Sequence, residues 1–271
     1  MQRQLVSVVV PVLNEEDGVS LLKRKLLTLR DLLSDRFELE LIFVDDGSND
    51  KTAVRLKEQF GPTGIQFCVV EHGFNRGVGA AFRTGFQYCK GTFVCTIDAD
   101  CSYSPEGLKL LLTALNVTGR DIAVASPYHP QGGVEGVPKW RLVLSKGCSA
   151  LYRMFSPVKL YTYTSIFRAY RAEVVRNVQF DSNGFVSAPE ILISAARQGY
   201  TVTEVPLVLR ARSVGRSKMK IVRTIASHLE MLIGFFGSSP KPGTLHMPPR
   251  PAKPLIKARL APGDNKDPFA A

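Results

Sequence analysis

The sequence predicts an α/β protein built on a doubly wound, mainly parallel sheet. Between residues 5 and 126, short β-rich runs alternate with longer segments of helical periodicity. Each run ends in polar residues: Asn14-Glu15, Asp45-Asp46-Gly47-Ser48, His72-Gly73 and Asp98-Ala99-Asp100. In such sheets ligands bind outside the carboxyl ends of the strands, so these groups are expected at one crevice.

The first run, Leu5–Val12, reads as a strand. An apolar run Leu5–Leu13 after Arg3 faintly resembles a secretion signal, but Asn14-Glu15-Glu16-Asp17 stands where small cleavage-site residues belong. Val19–Leu33 carries leucines at helical spacing and is expected to pack. Leu39–Val44 is the second strand, Gly47 supplies the turn, Ser48 or Asn49 can cap, and Thr52–Phe60 is the next helix. Asp46 can meet the base or ribose of a nucleotide and can cap that helix, and the two roles are not exclusive. Gln66–Val70 follows as a strand. The stretch Phe74-Asn75-Arg76-Gly77-Val78-Gly79-Ala80-Ala81 resembles a phosphate-binding loop but lacks its terminal Lys-Ser/Thr. Its small residues fit close packing of a helix Val78–Tyr88 on the sheet better than phosphate contact.

The stretch around which the chain is organised is Gly91–Pro105. It opens on a turn glycine, runs through a buried strand Phe93–Ile97, and ends in two carboxylates one residue apart. If the extended conformation persists to Asp100, period two puts Asp98 and Asp100 on one side. Paired carboxylates repel unless a cation lies between them. Mg²⁺ or Mn²⁺ fits, since hard cations take oxygen ligands and keep positions open for substrate phosphates. The alternative is that Asp98 ends the strand while Asp100 or Ser102 caps a helix starting near Glu106.

Ile122–Ala125 closes the first half. A loop follows at Pro127–Gly133, with His129 an ordinary loop histidine, then an amphipathic helix Lys139–Phe155, a strand Thr162–Tyr170, a helix Ala188–Gln198 and a strand Thr201–Val205. Leu207–Arg223 holds Arg210, Arg212, Arg216, Lys218, Lys220 and Arg223 with no acid, which fits a flap ordering over phosphates or a solvated basic face. Ile225–Phe236 is apolar on one side, with His228 and Glu230 on the other, and can dock on the domain or lie on a membrane. Ser238–Ala271 has eight prolines in 34 residues and is expected to be disordered. The expected organisation is a domain over 1–237, divided into halves 1–126 and 127–237, and a tail over 238–271.

With 35 basic against 24 acidic residues the net charge is +11, which implies anionic partners. Basic motifs interleaved with aromatics are absent, so nucleic acid is not expected as a partner. Five cysteines without CxxC fit reduced thiols in a cytoplasmic compartment. No apolar stretch of about 18 residues occurs, so no membrane span is expected.

Several motifs, in order, are similar to family 2 of the inverting glycosyltransferases, GT-A fold, and within it to the polyprenyl-phosphate sugar transferases of the dolichol-phosphate mannosyltransferase kind. They are Val9-Val10-Pro11-Val12-Leu13-Asn14-Glu15-Glu16, Val44-Asp45-Asp46-Gly47-Ser48-Asn49-Asp50-Lys51-Thr52, Asp98-Ala99-Asp100, Trp140-Arg141 with Ser145-Lys146-Gly147, Phe167-Arg168-Ala169-Tyr170-Arg171, and Arg212 with Gly215, Ser217, Lys218 and Met219. The resemblance spans roughly Val6–Phe236.

It implies a Rossmann-like, mixed but mainly parallel sheet flanked by helices, with a C-terminal helix. It also implies a nucleotide-diphosphate sugar donor, GDP-mannose or a UDP-sugar, and a polyprenyl-phosphate acceptor at the cytoplasmic face of an anionic membrane. Pro11, Leu13, Glu15, Val44 and Asp46 would hold the nucleotide, and Asp98 and Asp100 the Mg²⁺ or Mn²⁺, with Ala99 and Ser102 beside the diphosphate. Arg141 would grip the acceptor phosphate, and Arg212 and Lys218 would be the flap's cations. Two departures stand out: Ser126-Pro127-Tyr128 replaces Ser-Arg-Tyr, and Ser165-Ile166-Phe167-Arg168 replaces Ser-Gly-Phe-Arg, with Thr162 and Tyr163 where an acid is common. A hydroxyl acceptor would instead need a base, for which Asp181 or Glu190 is the candidate. A nucleotide-sugar-binding scaffold without turnover is the non-enzymatic alternative.

Overall fold

The computed structural model describes residues 3–212, 228, 230 and 231. The expected flap cations Arg216, Lys218, Lys220 and Arg223, most of the 225–236 segment and the whole proline-rich tail lie outside the described residues.

Strands β1 (Gln4–Val12), β2 (Phe37–Asp45), β3 (Gln66–Glu71), β4 (Phe93–Thr96) and β5 (Ile122–Ser126) alternate with helices α1 (Val19–Leu33), α2 (Thr52–Phe60), α3 (Val78–Tyr88) and α4 (Leu108–Thr118). After them come β6 (Gly133–Glu135), α5 (Lys139–Phe155), β7 (Arg168–Arg171), α6 (Ala172–Asn177), α7 (Ser187–Arg197), β8 (Val202–Pro206) and β9 (Val208–Arg210). The bounds of α1, α2, α3 and α5 are those that periodicity predicts. The main sheet runs β3-β2-β1-β4-β7-β5-β8, parallel throughout except for β7.

Period two divides the strands between two cores. Val6, Val8, Val10, Leu41 and Phe43 meet Leu22, Leu26 and Leu29 of α1, Leu56 and Phe60 of α2, and Leu111 and Leu115 of α4. Val9, Ile42 and Val44 meet Ala81 and Phe82 of α3 on the other face, with Ile191 and Leu192 of α7 in the same core. A Cβ at Gly85 would stand 2.4 Å from the Val9 side chain, so α3 lies directly on the sheet, as its small residues predict.

Two expectations need correction. The strand expected over Thr162–Tyr170 is confined to Arg168–Arg171, because residues 162–166 are bound from the side: the Glu204 carboxylate accepts the amides of Tyr161 and Thr162, and Thr96 Oγ1 donates to the Ile166 carbonyl. That short strand enters the sheet antiparallel between β4 and β5, so the two halves of the chain share one sheet. His228, expected on the polar side of its segment, is 6% exposed and bonds to the Tyr152 hydroxyl at 2.6 Å.

Candidate active site

The loops after β1 and β2 are tied to each other at the sheet rim. The Asn14 amide donates to Ser48 Oγ (2.8 Å), the Asn49 amide returns to Asn14 Oδ1 (2.7 Å), and the Glu15 amide donates to Thr52 Oγ1 (2.8 Å). Ser48 and Asn49 therefore brace the first loop rather than cap α2. The Thr52 amide goes to Asp50 instead, at 2.9 Å. This bracing holds Glu15 at the mouth of the cleft.

Asp46 neither caps a helix nor faces open solvent. It is 4% exposed, accepts the Arg76 and Gly77 amides at 2.9 and 2.7 Å, and meets His72 Nδ1 at 2.8 Å. The Gly79 amide is taken by the Asn183 carbonyl at 2.6 Å. Amides that a phosphate-binding loop would offer to a ligand are thus spent on the protein's own oxygens. Gly77, at φ +98°, and Gly79 are glycines because a Cβ would stand 2.3 Å from the Asn183 carbonyl oxygen and 2.1 Å from that of Ser182. The packing reading of this loop holds.

Strand β4 ends at Thr96, two residues short of Asp98, so a persistent strand is not what brings the two acids together. Ala99 and Asp100 form a turn, Cys101 takes a left-handed φ of 54°, and the Ser102 amide donates to Asp100 Oδ1 at 2.9 Å. The acids nonetheless feel each other. Burial pushes the Asp98 carboxyl well above the usual carboxylate range, Asp100 and Glu15 push it further, and Arg212 opposes them. Arg212 spans the group, with Nε 3.0 Å from Asp100 Oδ2 and Nη2 3.0 Å from Glu15 Oε1. Burial works against that guanidinium charge, but Asp100 and Glu15 outweigh it and hold its pKa above the ordinary value.

Among the described residues no group of three or more His, Cys, Asp or Glu side chains is arrayed to hold a metal. Two carboxylates still suit Mg²⁺ or Mn²⁺, which are commonly held by one or two protein carboxylates plus substrate phosphates. The fit is electrostatic: three acids converge here, and their mutual repulsion already draws in one cation, Arg212.

Beside Asp98 opens a cavity of about 220 Å³ lined by hydroxyl-bearing Ser102, Tyr128, Ser145, Thr162, Thr164 and Ser165, with Phe185 and Leu209 at its apolar edge. Its wall is fixed by the Ser126–Thr162 and Ser145–Thr164 hydroxyl pairs at 2.9 and 2.8 Å. Behind it the Arg168 guanidinium, 1% exposed, donates to the carbonyls of Ala188 (2.6 Å) and Tyr163 (2.7 Å), stapling the wall to α7. Arg141, at the start of α5, lies 5.3 Å from the Trp140 ring, and its buried Nε has no hydrogen-bond partner.

Of the residues expected at the site, Glu15, Asp98, Asp100 and Arg212 converge, and Ser102 lines the adjoining cavity. Ala99 is 8% exposed in the core, and Pro11 and Leu13 are partly exposed at the end of β1. Val44 is fully buried beneath α3 near the end of β2, its backbone lying between β1 and β3. Lys218 lies outside the described residues. Glu190, a candidate base, spends both carboxylate oxygens on the amides of Asp181 and Ser182, each at 3.0 Å. Nothing in the neighbouring sequence marks Glu204 or the staple made by Arg168. Arg168 falls within one of the family-like motifs, but no local pattern distinguishes a buried arginine from a surface one.

A mixed, mainly parallel sheet with an acid-bearing turn at its carboxyl rim is the architecture of nucleotide-sugar transferases of the GT-A type. The chain belongs to that class: the glycosyl transferase family 2 model matches residues 7–179, and this protein is a member of the family. It is 33% identical over 224 residues to a polyprenol monophosphomannose synthase of Mycolicibacterium smegmatis, covering 80% of this chain and 81% of that one. It is 31% identical to a dolichol-phosphate mannosyltransferase of Pyrococcus furiosus and 27% to a dodecaprenyl-phosphate galacturonate synthase of Rhizobium johnstonii. The matches cover 79% and 85% of this chain but 59% and 66% of those two relatives. In fold it is similar to glucosyl-3-phosphoglycerate synthase of Mycobacterium tuberculosis, crystallised with Mn²⁺, UDP-glucose and phosphoglyceric acid, with a TM-score of 0.64 at 20% identity over 88% of this chain and 82% of that one.

Proposed function

We propose that this protein transfers a sugar from a nucleotide-diphosphate sugar to a polyprenyl phosphate. The observation that carries the reading is the convergence of Asp98, Asp100, Glu15 and Arg212 beside a hydroxyl-lined cavity, in a chain whose relatives are named for polyprenyl-phosphate products. Asp98 and Asp100 would hold Mg²⁺ or Mn²⁺, which would supply positive charge to the donor diphosphate. Glu15, Pro11 and Leu13 stand at the nucleotide's side of the cleft, and Asp46 acts there by ordering the loop at Arg76 and Gly77. Ala99 and Ser102 border the diphosphate, and the cavity takes the sugar, its hydroxyl groups meeting side-chain hydroxyls that both donate and accept.

The acceptor phosphate is already an oxyanion at neutral pH. One of its oxygens forms a bond to the anomeric carbon from the face opposite the leaving group. The bond from that carbon to the donor's phosphate oxygen breaks, and its electron pair leaves with the nucleoside diphosphate, inverting the centre. Arg141 positions the acceptor phosphate, while Arg212 and Lys218 offset the charge that builds on the departing diphosphate. No proton has to be removed, which accords with a cleft where Glu190 is occupied by backbone amides. A hydroxyl acceptor would need that base, and Glu190→Gln would then abolish turnover; with a phosphate acceptor it produces only a partial loss.

Incubating the protein with UDP- and GDP-sugars, Mg²⁺ or Mn²⁺, and a short polyprenyl phosphate, with thin-layer separation of the lipid product, tests the reading. A glycolipid that requires both cation and acceptor supports it. Cation-independent behaviour, or donor uptake with no transfer to any acceptor, would sink it.

A further inference from the structure

We infer that the sugar this protein transfers is a neutral one, and that the cavity beside Asp98 refuses uronic acids. The inference deepens the functional reading above and rests on it, since that reading seats a sugar in the cavity without saying which kind. Kinship leaves the point open, because one relative is named for a mannose product and another for a galacturonate product.

The polar wall of the cavity is made of neutral groups that already hold one another. Ser126 Oγ and Thr162 Oγ1 pair at 2.9 Å, Ser145 Oγ and Thr164 Oγ1 pair at 2.8 Å, and the Tyr103 and Tyr128 phenols adjoin Ser165 and Ser145. A hydroxyl has one donor and two acceptor sites, so each pair keeps capacity to give or to take a further hydrogen bond. Sugar hydroxyls do both as well. Ile166, Phe185 and Leu209 complete the lining with apolar surface. A pyranose has the same mixed character, with hydroxyls around its ring edge and C–H groups on its faces, and ligand pockets in general join apolar walls to a few placed polar groups.

Among the described residues, what the lining lacks is a positive charge. Asp98 is the one charged side chain there, and it is an acid. Cations stand nearby, but each is committed elsewhere. Arg212 is held 3.0 Å from both Asp100 and Glu15. Arg168 donates its two terminal nitrogens to the carbonyls of Ala188 and Tyr163. The exposed Lys146 places its ammonium 5.4 Å from the centre of the Tyr128 ring and is not part of the lining. In the functional reading Lys218, with Arg212, serves the diphosphate. A uronic acid seated here would bury its carboxylate beside Asp98 with no cation to pair it, and an unpaired buried charge is heavily penalised. A neutral hexose brings only hydroxyls, whose hydrogen bonds to water the wall can replace. The cavity therefore selects by repelling the charged sugar as well as by fitting the neutral one.

The test is binding, measured by calorimetry on the full chain with Mn²⁺ and without acceptor. Two donor pairs differ only in the charge at the sugar's sixth carbon: UDP-glucose against UDP-glucuronate, and GDP-mannose against GDP-mannuronate. In whichever nucleotide series binds, the neutral sugar is expected to bind about a hundredfold more tightly than its uronate, or better. Phe185, 39% exposed at the apolar edge, is the place to reverse the choice. Phe185→Arg brings a guanidinium to the cavity and should narrow the gap by about tenfold, whereas the uncharged control Phe185→Gln should leave it within about twofold. Circular dichroism checks that both variants fold. Equal or tighter binding of the uronate by the wild-type protein overturns the inference, and so does the same shift in both Phe185 variants. The functional reading is tested separately. A neutral preference in binding with no glycolipid formed counts against that reading and leaves the cavity's choice standing, while efficient transfer of a uronate to polyprenyl phosphate keeps the reading and overturns the inference. Uptake of none of the four donors removes both.

Discussion

The two halves of the molecule differ in how completely they satisfy themselves. In the first, up to β5, buried polar groups are paired within the chain: Ser7 Oγ donates to Glu40 and accepts the Gly91 amide, and Asp46 takes two amides and meets a histidine. In the second half, among the described residues, the buried side-chain atoms Arg141 Nε, Arg168 Nε and Ser187 Oγ have no partner, and α5 leaves an apolar face exposed. Unsatisfied buried polar atoms and exposed apolar surface each cost free energy. The contrast is between a first half that meets its buried polar groups from within and a second half that leaves some of them unmet.

Breaking the donor side should have the largest effect. Asp98→Asn and Asp100→Asn are each expected to lower turnover by roughly a thousandfold or more and to abolish cation-dependent uptake of nucleotide sugar in calorimetry. Asp98→Asn should not lower the melting temperature of the ligand-free protein at neutral pH. It removes a carboxylate whose charge is disfavoured by burial and by Asp100, a case in which function is kept at a cost in stability. A marked loss of stability would show that Asp98 is a structural residue instead.

On the acceptor side, Arg141→Ala should reduce kcat/KM for polyprenyl phosphate by about a hundredfold. Donor affinity should stay unchanged, which separates it from the aspartate variants. A parallel loss of donor binding would place Arg141 on the wrong substrate.

The contact of α5 with His228 should appear as acid sensitivity. Burial lowers the His228 pKa from 6.5 to about 4, so on acidification the unfolded chain takes up this proton before the folded one does. Its contribution to stability is therefore complete above about pH 6.5 and falls by roughly 3 kcal/mol as the pH approaches 4. Denaturant melts at several pH values should show this slope, and His228→Gln should flatten it. The same slope in that variant would assign the acid sensitivity elsewhere.

Two glycines give the mildest comparison. Gly79→Ala pushes a methyl into the Ser182 carbonyl and should cost about 2 kcal/mol, lowering the melting temperature by several degrees. Gly147→Ala, with nothing within 4 Å of the added methyl, should gain up to about 1 kcal/mol from helix propensity. Equal effects at the two positions would mean that the loop against α3 yields more easily than its contacts imply.

What the sequence determined by itself was whatever is written in neighbouring residues. Leucine spacing set the bounds of α1, β-branched runs gave the parallel strands, and the polar strand ends located the cleft, because side-chain direction repeats every 3.6 or two residues. The motif at Asp98 and Asp100 was legible as two acids one residue apart, although a turn and not a strand brings them together. Tertiary structure alone decided the rest. Arg212 reaches Asp100 across 112 residues and Glu15 across 197, β7 enters between β4 and β5, and Asp46 and Glu190 are turned inward to hold loops. A carboxylate or guanidinium carries no local sign of which distant amide or counter-charge it will meet. Only the folded chain supplies the burial that makes such a meeting necessary.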